Sequence, residues 1–328
     1  MEKVIENNRI NEEKEPVVVA CAADNFFSIP LAVVAFSALK NLDGDRKIIF
    51  CILDGGISKA NREKIVQTLD SSRVEVRWIK PTSEQIQRTL LKCRASSHPI
   101  SNYYRLLLPA ILPTQFHKVI YLDADVVVEG NLAELWDCEI GDNYVLAVQD
   151  PVHRSLLRAE HLKSLQLEKQ GITADNKYLN AGVLVINLER WRQDKIADQI
   201  LKCIAKNPDF PFPDQDAINI VLAGKWGEIS PLWNQMHVVH NFESPQDSPY
   251  DQSVYPDLID NPRIIHYTSR PKPWGKNCTH PQANRYFTYL DQTAWSGWRN
   301  TPLVYSVTLM QRVMRRTMMA VSKSLSRV

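Results

Sequence analysis

Residues 17–79 read VVVACAADNFFSIPLAVVAFSALKNLDGDRKIIFCILDGGISKANREKIVQTLDSSRVEVRWI. VVVACAA (17–23) is an apolar run of strand length, and the segment from Ile29 to Lys40 is helix-like. The turn LDGD (42–45) closes that helix, and KIIFCILDGG (47–56) is a second strand with a glycine turn. SKANREKIVQTLD (58–70) opens on a serine cap and spaces its apolar residues as a helix does. VEVRWI (74–79) alternates as a strand does. Strand, helix, strand, helix, strand in this order predicts an α/β fold with a mostly parallel sheet and helices on its faces.

The pattern continues downstream. Ser101 to Ala110 predicts a helix, closed by Pro109 and Pro113, and HKVIYLDADVVVEG (117–130) a strand that runs into two aspartates. NYVLAVQD (143–150) and AGVLVINL (181–188) are strands, separated by a polar, mixed segment (152–179) expected to be a lid or an acceptor-side insertion. ERWRQDKIADQILKCIAKN (189–207) predicts one helix, and PDQDAINIVLAG (213–224) another, with proline at its start and glycine at its end. PRIIHYTSRPKPW (262–274) is a strand entering a proline-rich loop. Open α/β sheets bind ligands at the carboxyl ends of their strands. Those ends carry Asp24, Asp54, Asp123, Asp125, Asp150 and His266, which predicts one crevice rich in carboxylates.

The 328 residues are 44% hydrophobic and 23% charged, with net charge +2. That composition excludes collagen-like, coiled-coil and largely disordered chains and is too balanced to argue for a nucleic-acid partner. Residues 1–15 are expected to be a polar, flexible leader without the apolar core of a signal peptide. No stretch reaches the roughly 18 uninterrupted apolar residues of a membrane span. The cysteines, at 21, 51, 93, 138, 203 and 278, form no CxxC pair and are expected to be buried free thiols in a reducing, cytoplasmic compartment. Residues 291–328 stand apart as a basic tail. From Leu303 to Val328 apolar residues recur every three or four positions, with Arg312, Arg316, Lys323 and Arg327 opposite. This amphipathic helix reads either as a peripheral anchor on the inner face of a membrane or as a helix docked on the body.

In an extended chain Asp123 and Asp125 face one point while Ala124 faces the core. Two such carboxylates repel unless a cation lies between them, and hard divalent ions suit their oxygens. The plainer alternative is a turn with two solvated aspartates. His266 ends a strand, where it is either simply hydrogen-bonded or completes a carboxylate site for Mn²⁺. Lys272 lies between two prolines that stiffen its loop. A stiff lysine beside a metal points to a diphosphate. The helix dipole accounts for Asp214 and Asp216 at a helix start, but not for Gln215. Asn180 precedes a strand, and Arg105 can pair with a core carboxylate or with phosphate.

Six motifs occur in one order: AADNF (22–26), SNYYRLLLP (101–109), VIYLDADVVVEGNLAELW (119–136), YLNAGVLVINLERW (178–191), FPDQDAIN (212–219) and IIHYTSRPKPW (264–274). From about Pro16 to Trp274 the chain resembles the family-8 glycosyltransferases. These are retaining, metal-dependent enzymes related to bacterial lipopolysaccharide galactosyl- and glucosyltransferases and to glycogenin. The resemblance implies a GT-A nucleotide-diphospho-sugar transferase fold over residues 16–290 and a UDP-sugar donor. It implies Mn²⁺, with Mg²⁺ as the alternative, on Asp123, Asp125 and His266. Ala22, Ala23 and Asp24 would line the uracil and ribose pocket, and the Asp123–Ala124–Asp125 segment would meet the donor as well as the metal. Arg105 would approach the donor sugar and its phosphate. Asp150, Asn180 and Asp214 would hold sugar hydroxyls, and Gln215 would lie under the anomeric carbon. Lys272 and Ser269 would meet the diphosphate, and Asp216 would be a nucleophile only if it reached the reacting centre. The implied reaction moves glucose or galactose to a glycan or glycolipid acceptor by a front-face mechanism, with UDP phosphate as the base. Two stretches depart from the family: AADNFF replaces AADDNY, and Ser269 replaces a glycine. Two rival readings are a haloacid-dehalogenase-type phosphatase with Asp123 as nucleophile, and a non-catalytic sugar-nucleotide-binding protein. The first places its motif on the first strand, whereas about 100 residues of α/β pattern precede it here.

Overall fold

The structure, a computed structural model, describes residues 14–86, 100–268 and 270–300. Ser269, Cys93, the expected tail helix and most of the leader lie outside the described residues. The strands β1 (Val17–Ala23), β2 (Ile48–Asp54) and β3 (Val74–Ile79) are parallel, with α1 (Ser28–Lys40) and α2 (Lys59–Thr68) as their crossovers. Every residue of β1 and β2 is buried. An unbroken apolar strand is what a parallel sheet covered on both faces requires.

The motif at 101–109 is not one α-helix. It is a 3₁₀ segment (Ile100–Leu107) that passes into a single turn, α3 (Leu108–Ile111). Residues 117–130 are not one strand either. The chain runs along β4 (Lys118–Leu122), turns at Asp123–Asp125 and enters β5 (Val126–Val128) in a different sheet. Next come α4 (Leu132–Trp136), β6 (Val145–Gln149) and three short 3₁₀ turns between Leu156 and Gln170. β7 (Leu179–Asn187) follows, then α5 (Leu188–Gln193) and α6 (Ile196–Lys206). These two helices replace the single helix expected over 189–207, because Lys195 adopts a left-handed backbone, φ 51°, that breaks the run. α7 (Pro213–Val221), β8 (Gly227–Glu228), β9 (Gln235–Met236), α8 (Tyr255–Asp260), β10 (Ile264–His266) and α9 (Ala283–Leu290) complete the described fold.

The large sheet has the order β3-β2-β1-β4-β7-β6-β8, and a small one has β5-β10-β9. In the large sheet β7 alone runs against its neighbours, so the sheet is mostly parallel as expected. Cys21 and Cys51 are buried in β1 and β2, but Cys138, Cys203 and Cys278 are only half-buried; all five are free thiols. Trp295 is core: the Ala294 N–H donates to Thr68 Oγ1 at 3.0 Å, and Lys64 lies over the Trp295 ring. No helix among the described residues is long and apolar enough to cross a membrane.

Helix α1 holds the small sheet in place. Ser37 Oγ donates to Val34 O and accepts the Val128 N–H at 3.0 Å, while Asn41 Nδ2 donates to Val128 O at 2.8 Å. Ser37→Ala leaves the buried Val128 N–H unpaired and is expected to cost about 1–3 kcal/mol. Urea denaturation measures this; a loss below about 0.5 kcal/mol would mean that β5 is anchored by other contacts.

Candidate active site

Two ladders meet at residues 123–125. The β4–β7 ladder continues one step beyond Leu122, where the Asp123 N–H donates to Gly182 O at 2.8 Å. The β5–β10 ladder pairs Val126 with His266 and continues with the Tyr267 N–H donating to Asp125 O at 3.0 Å. Asp123, Asp125 and His266 are thereby brought to one point. The intervening backbone is a turn, not the extended segment expected, although Ala124 is buried as expected.

His266 Nε2 lies 3.3 Å from Asp125 Oδ1 and 3.9 Å from Asp123 Oδ2. Its Nδ1 lies 2.8 Å from Asn234 Oδ1. An amide oxygen only accepts, so Nδ1 carries a proton, and Nε2 is the ring nitrogen that faces the two carboxylates and would offer its lone pair to a bound cation. Among the described residues these three form the one cluster able to hold a metal ion. Three acceptor groups facing one point fit a divalent cation, and the oxygen-rich set with one imidazole suits Mn²⁺ or Mg²⁺.

The ring of His266 lies against Gly182. A Cβ at that position would sit 2.1 Å from His266 Cε1. Asn234 Nδ2 donates to Asn180 Oδ1 at 3.0 Å, and Asn180 Nδ2 donates to Asp150 Oδ2 at 3.3 Å. Asp150 Oδ1 accepts the N–H groups of Val152 and His153. A chain of amides therefore links the metal-side histidine to the residues expected at the donor sugar.

Arg105 is buried and makes a second link. Nη2 pairs with Asp123 Oδ1 at 2.7 Å, Nε with Asp214 Oδ2 at 3.2 Å, and Nη1 donates to Ala181 O. Its guanidinium lies 4.6 Å from the Tyr121 ring centroid, and Tyr121 OH donates to Asp123 Oδ1 at 3.0 Å. Of the two partners open to it from sequence, Arg105 has taken carboxylates. Lys272 Nζ donates to Asp125 Oδ2 at 2.8 Å and to Tyr267 O. Burial pushes the Asp123 carboxyl up, and Arg105 offsets only part of that. Burial acts on Asp125 the same way, but Lys272 and His266 outweigh it and hold that carboxyl below the usual range.

Other expected residues have local duties. Ala22 and Ala23 end β1, and the Cys21–Leu122 register sets Ala22 beside Asp123. Asp24 Oδ1 caps the turn at Asn25–Phe27. Asn25 Oδ1, at one of the departures from the family pattern, accepts the Ser58 N–H and Asn61 Nδ2 and so ties β1 to the start of α2. Asp54 is not a crevice carboxylate: it accepts the Gly56 and Ile57 N–H groups and pairs with Arg62. Gln215 Oε1 accepts the Ala181 N–H at 2.9 Å. Asp216 is fully buried, with its oxygens bonded to Tyr178, His161 and the Phe212 N–H, so it does not face the site as a nucleophile. Sequence reasoning missed Tyr121, Gly182 and Asn234. Tyr121 was within reach, since strand alternation puts it on the face of Asp123.

The fold and site define a nucleotide-sugar transferase of the GT-A class. The family model described as Glycosyl transferase family 8 matches residues 18–278, and the chain belongs to that family. General stress protein A of Bacillus subtilis (strain 168) is 29% identical over 285 residues, covering 85% of this chain and 94% of its own. Lipopolysaccharide 1,2-glucosyltransferase of Escherichia coli is 25% identical over 295 residues, covering 89% and 82%. A solved structure of the galactosyltransferase LgtC, in complex with donor and acceptor sugar analogs, superimposes with TM-score 0.69 at 30% identity, covering 84% of this chain and 96% of that one. The protein is a glycosyltransferase, with a nucleotide-sugar donor and a glycan acceptor, and its acidic triad fits the divalent metal of that class. The phosphatase reading is set aside.

Gly182→Ala displaces the His266 ring, and Asn234→Ala removes the acceptor that sets its tautomer. Each is expected to weaken Mn²⁺ binding about 10- to 100-fold, measured by titration calorimetry. Unchanged affinity in both would take His266 out of the metal set.

A second cluster, His237, His240 and His280, lies beside Tyr267, with ring centroids 4.6–6.4 Å apart. His237 Nδ1, His240 Nε2 and His280 Nε2 are buried without hydrogen-bond partners. Burial depresses all three, and with its neighbouring histidines it holds His280 down to about 3. Below about pH 6.5 the unfolded chain takes protons that the folded one refuses. Stability should therefore fall from about pH 6.5 downward, and His280→Gln should flatten the slope of urea midpoint against pH. A slope that His280→Gln leaves unchanged would assign acid sensitivity to other groups.

Proposed function

We propose that this chain moves a hexose, glucose or galactose, from a UDP-sugar to a glycan or glycolipid acceptor with retention of configuration. The convergence of Asp123, Asp125, His266 and Lys272 carries the reading, because it matches a metal-bound diphosphate leaving group. The names of two similar proteins, a lipopolysaccharide glucosyltransferase and a galactosyltransferase, support the two sugars. Residues 16–290 form the catalytic unit in this reading, and 303–328 make peripheral contact with the cytoplasmic face of a membrane.

Mn²⁺ held by Asp123, Asp125 and His266 would neutralise charge on the departing diphosphate. Lys272 Nζ adds a second positive charge on the same leaving group. Asp150, Asn180 and Asp214 orient the donor-sugar hydroxyls, and Arg105 bridges Asp214 to the metal side. The bond from the anomeric carbon to the diphosphate oxygen breaks as the acceptor oxygen bonds to that carbon on the same face. The acceptor proton passes to the departing phosphate. Gln215 stabilises the positive anomeric carbon from the opposite face. Neither aspartate flanking Gln215 is free for a covalent route, since Asp216 is fully buried and Asp214 is paired with Arg105. Phe212 and Val152, exposed at 45% and 60%, offer apolar surface on the acceptor side.

UDP release from UDP-glucose and UDP-galactose is the test, run with Mn²⁺, with Mg²⁺ and after EDTA. One sugar should give metal-dependent release, with water as a slow acceptor. Gln215→Ala should lose about 100-fold in turnover while holding UDP and Mn²⁺ as before. Absence of release from either sugar, together with no UDP–Mn²⁺ binding by calorimetry, would overturn the reading.

A further inference from the structure

Asp216 Oδ2 accepts the Phe212 N–H at 3.1 Å, and Oδ1 accepts both Tyr178 OH and His161 Nε2, the latter at 2.7 Å. An ionised carboxylate only accepts, so Tyr178 must donate its hydroxyl hydrogen and His161 must carry its proton on Nε2. Burial and the Asp216 charge push the Tyr178 phenol far above its ordinary value, so it stays protonated. The Tyr178 oxygen is then left with acceptor capacity alone. Its neighbour there is Gln215 Nε2, at 3.4 Å.

The other end of the Gln215 amide accepts the Ala181 N–H at 2.9 Å. Turning the amide over would set an NH₂ against the Ala181 N–H and an oxygen against a hydroxyl whose hydrogen is already committed. Only one orientation satisfies both ends. It puts Oε1 on the side of Ala181, whose own carbonyl is held by Arg105, and among the described residues Oε1 accepts the Ala181 N–H with a second lone pair to spare. His161 comes from the 3₁₀ turn Glu160–Leu165, within the segment whose structure was not legible in sequence. Its ring packs edge-on against His153, 5.0 Å between centroids.

We propose that Tyr178, Asp216 and His161 are positioning residues that act in series to hold the Gln215 carbonyl oxygen toward the donor sugar. This rests on the reading of Gln215 as the group beneath the anomeric carbon. The buried carboxylate is thus an anchor for the amide that stabilises charge. His161 supplies one of the three donors that hold that carboxylate in place.

The test uses the full chain and whichever of UDP-glucose or UDP-galactose supports release. Turnover and KM are measured beside the affinity for UDP with Mn²⁺. Tyr178→Phe and Asp216→Asn are expected to lower kcat about 10- to 100-fold with KM and UDP affinity unchanged. His161→Leu should lower kcat in the same way. His161→Gln, which keeps an N–H donor, should recover turnover relative to His161→Leu. Full kcat in Tyr178→Phe and His161→Leu, beside a Gln215→Ala variant that has lost it, would overturn the relay. So would a parallel loss of UDP–Mn²⁺ binding, which marks a merely structural role. Full kcat in Gln215→Ala would instead remove the reading of Gln215 on which the relay depends.

Discussion

The structure turns on the crossing of two sheets at Asp123–Asp125. Asp123 closes the β4–β7 ladder and Val126 opens the β5–β10 ladder. A strand register is all-or-none, because a slip of one residue sends every side chain to the other face. The pairing of Val126 with His266 therefore settles that an imidazole, and not Ile265 or Tyr267, meets the carboxylates. Gly182 on β7 must lack a side chain for that ring to fit. Helix α1 matters to the site through the same crossing, since Ser37 and Asn41 hold Val128 at the far end of β5.

Around this crossing the buried charges are paired, as the cost of an unpaired one demands. Arg105 pairs with Asp123 and Asp214, and Lys272 with Asp125. Buried amides carry order further, from His266 through Asn234 and Asn180 to Asp150. Amides suit this task because each both donates and accepts, so a chain of them has a direction. The metal side and the sugar side are in this way mechanically one unit, although their residues come from seven separate stretches of chain.

Much of this is legible in the order of residues alone. The parallel sheet follows from unbroken apolar runs at β1, β2 and β4 alternating with helical spacing, and Asp123, Asp125 and His266 stand out as polar groups at strand ends. Other features are not legible. Lys195 in a left-handed conformation breaks a helix that spacing alone would continue, and the 3₁₀ turns between Leu156 and Gln170 have no apolar period to announce them. Asp54 looks like a crevice carboxylate and proves to be occupied by a local turn and by Arg62, a duty that short acidic side chains serve equally well.

By itself the sequence determined the layer architecture, the strand ends that carry chemistry and the residue types able to hold a divalent cation beside a diphosphate. These are matters of periodicity and of donor chemistry, and both are local. Only the tertiary structure decided which polar groups are free and which are consumed. Arg105, Asp54 and Asp216 look equally available along the chain. Their partners come from elsewhere in the fold or from a turn only the structure reveals, and Asp216 owes two of its three donors to His161 and Tyr178, which precede it by 55 and 38 residues. Such pairings depend on register and on the path of irregular segments, and neither leaves a periodic trace in the sequence.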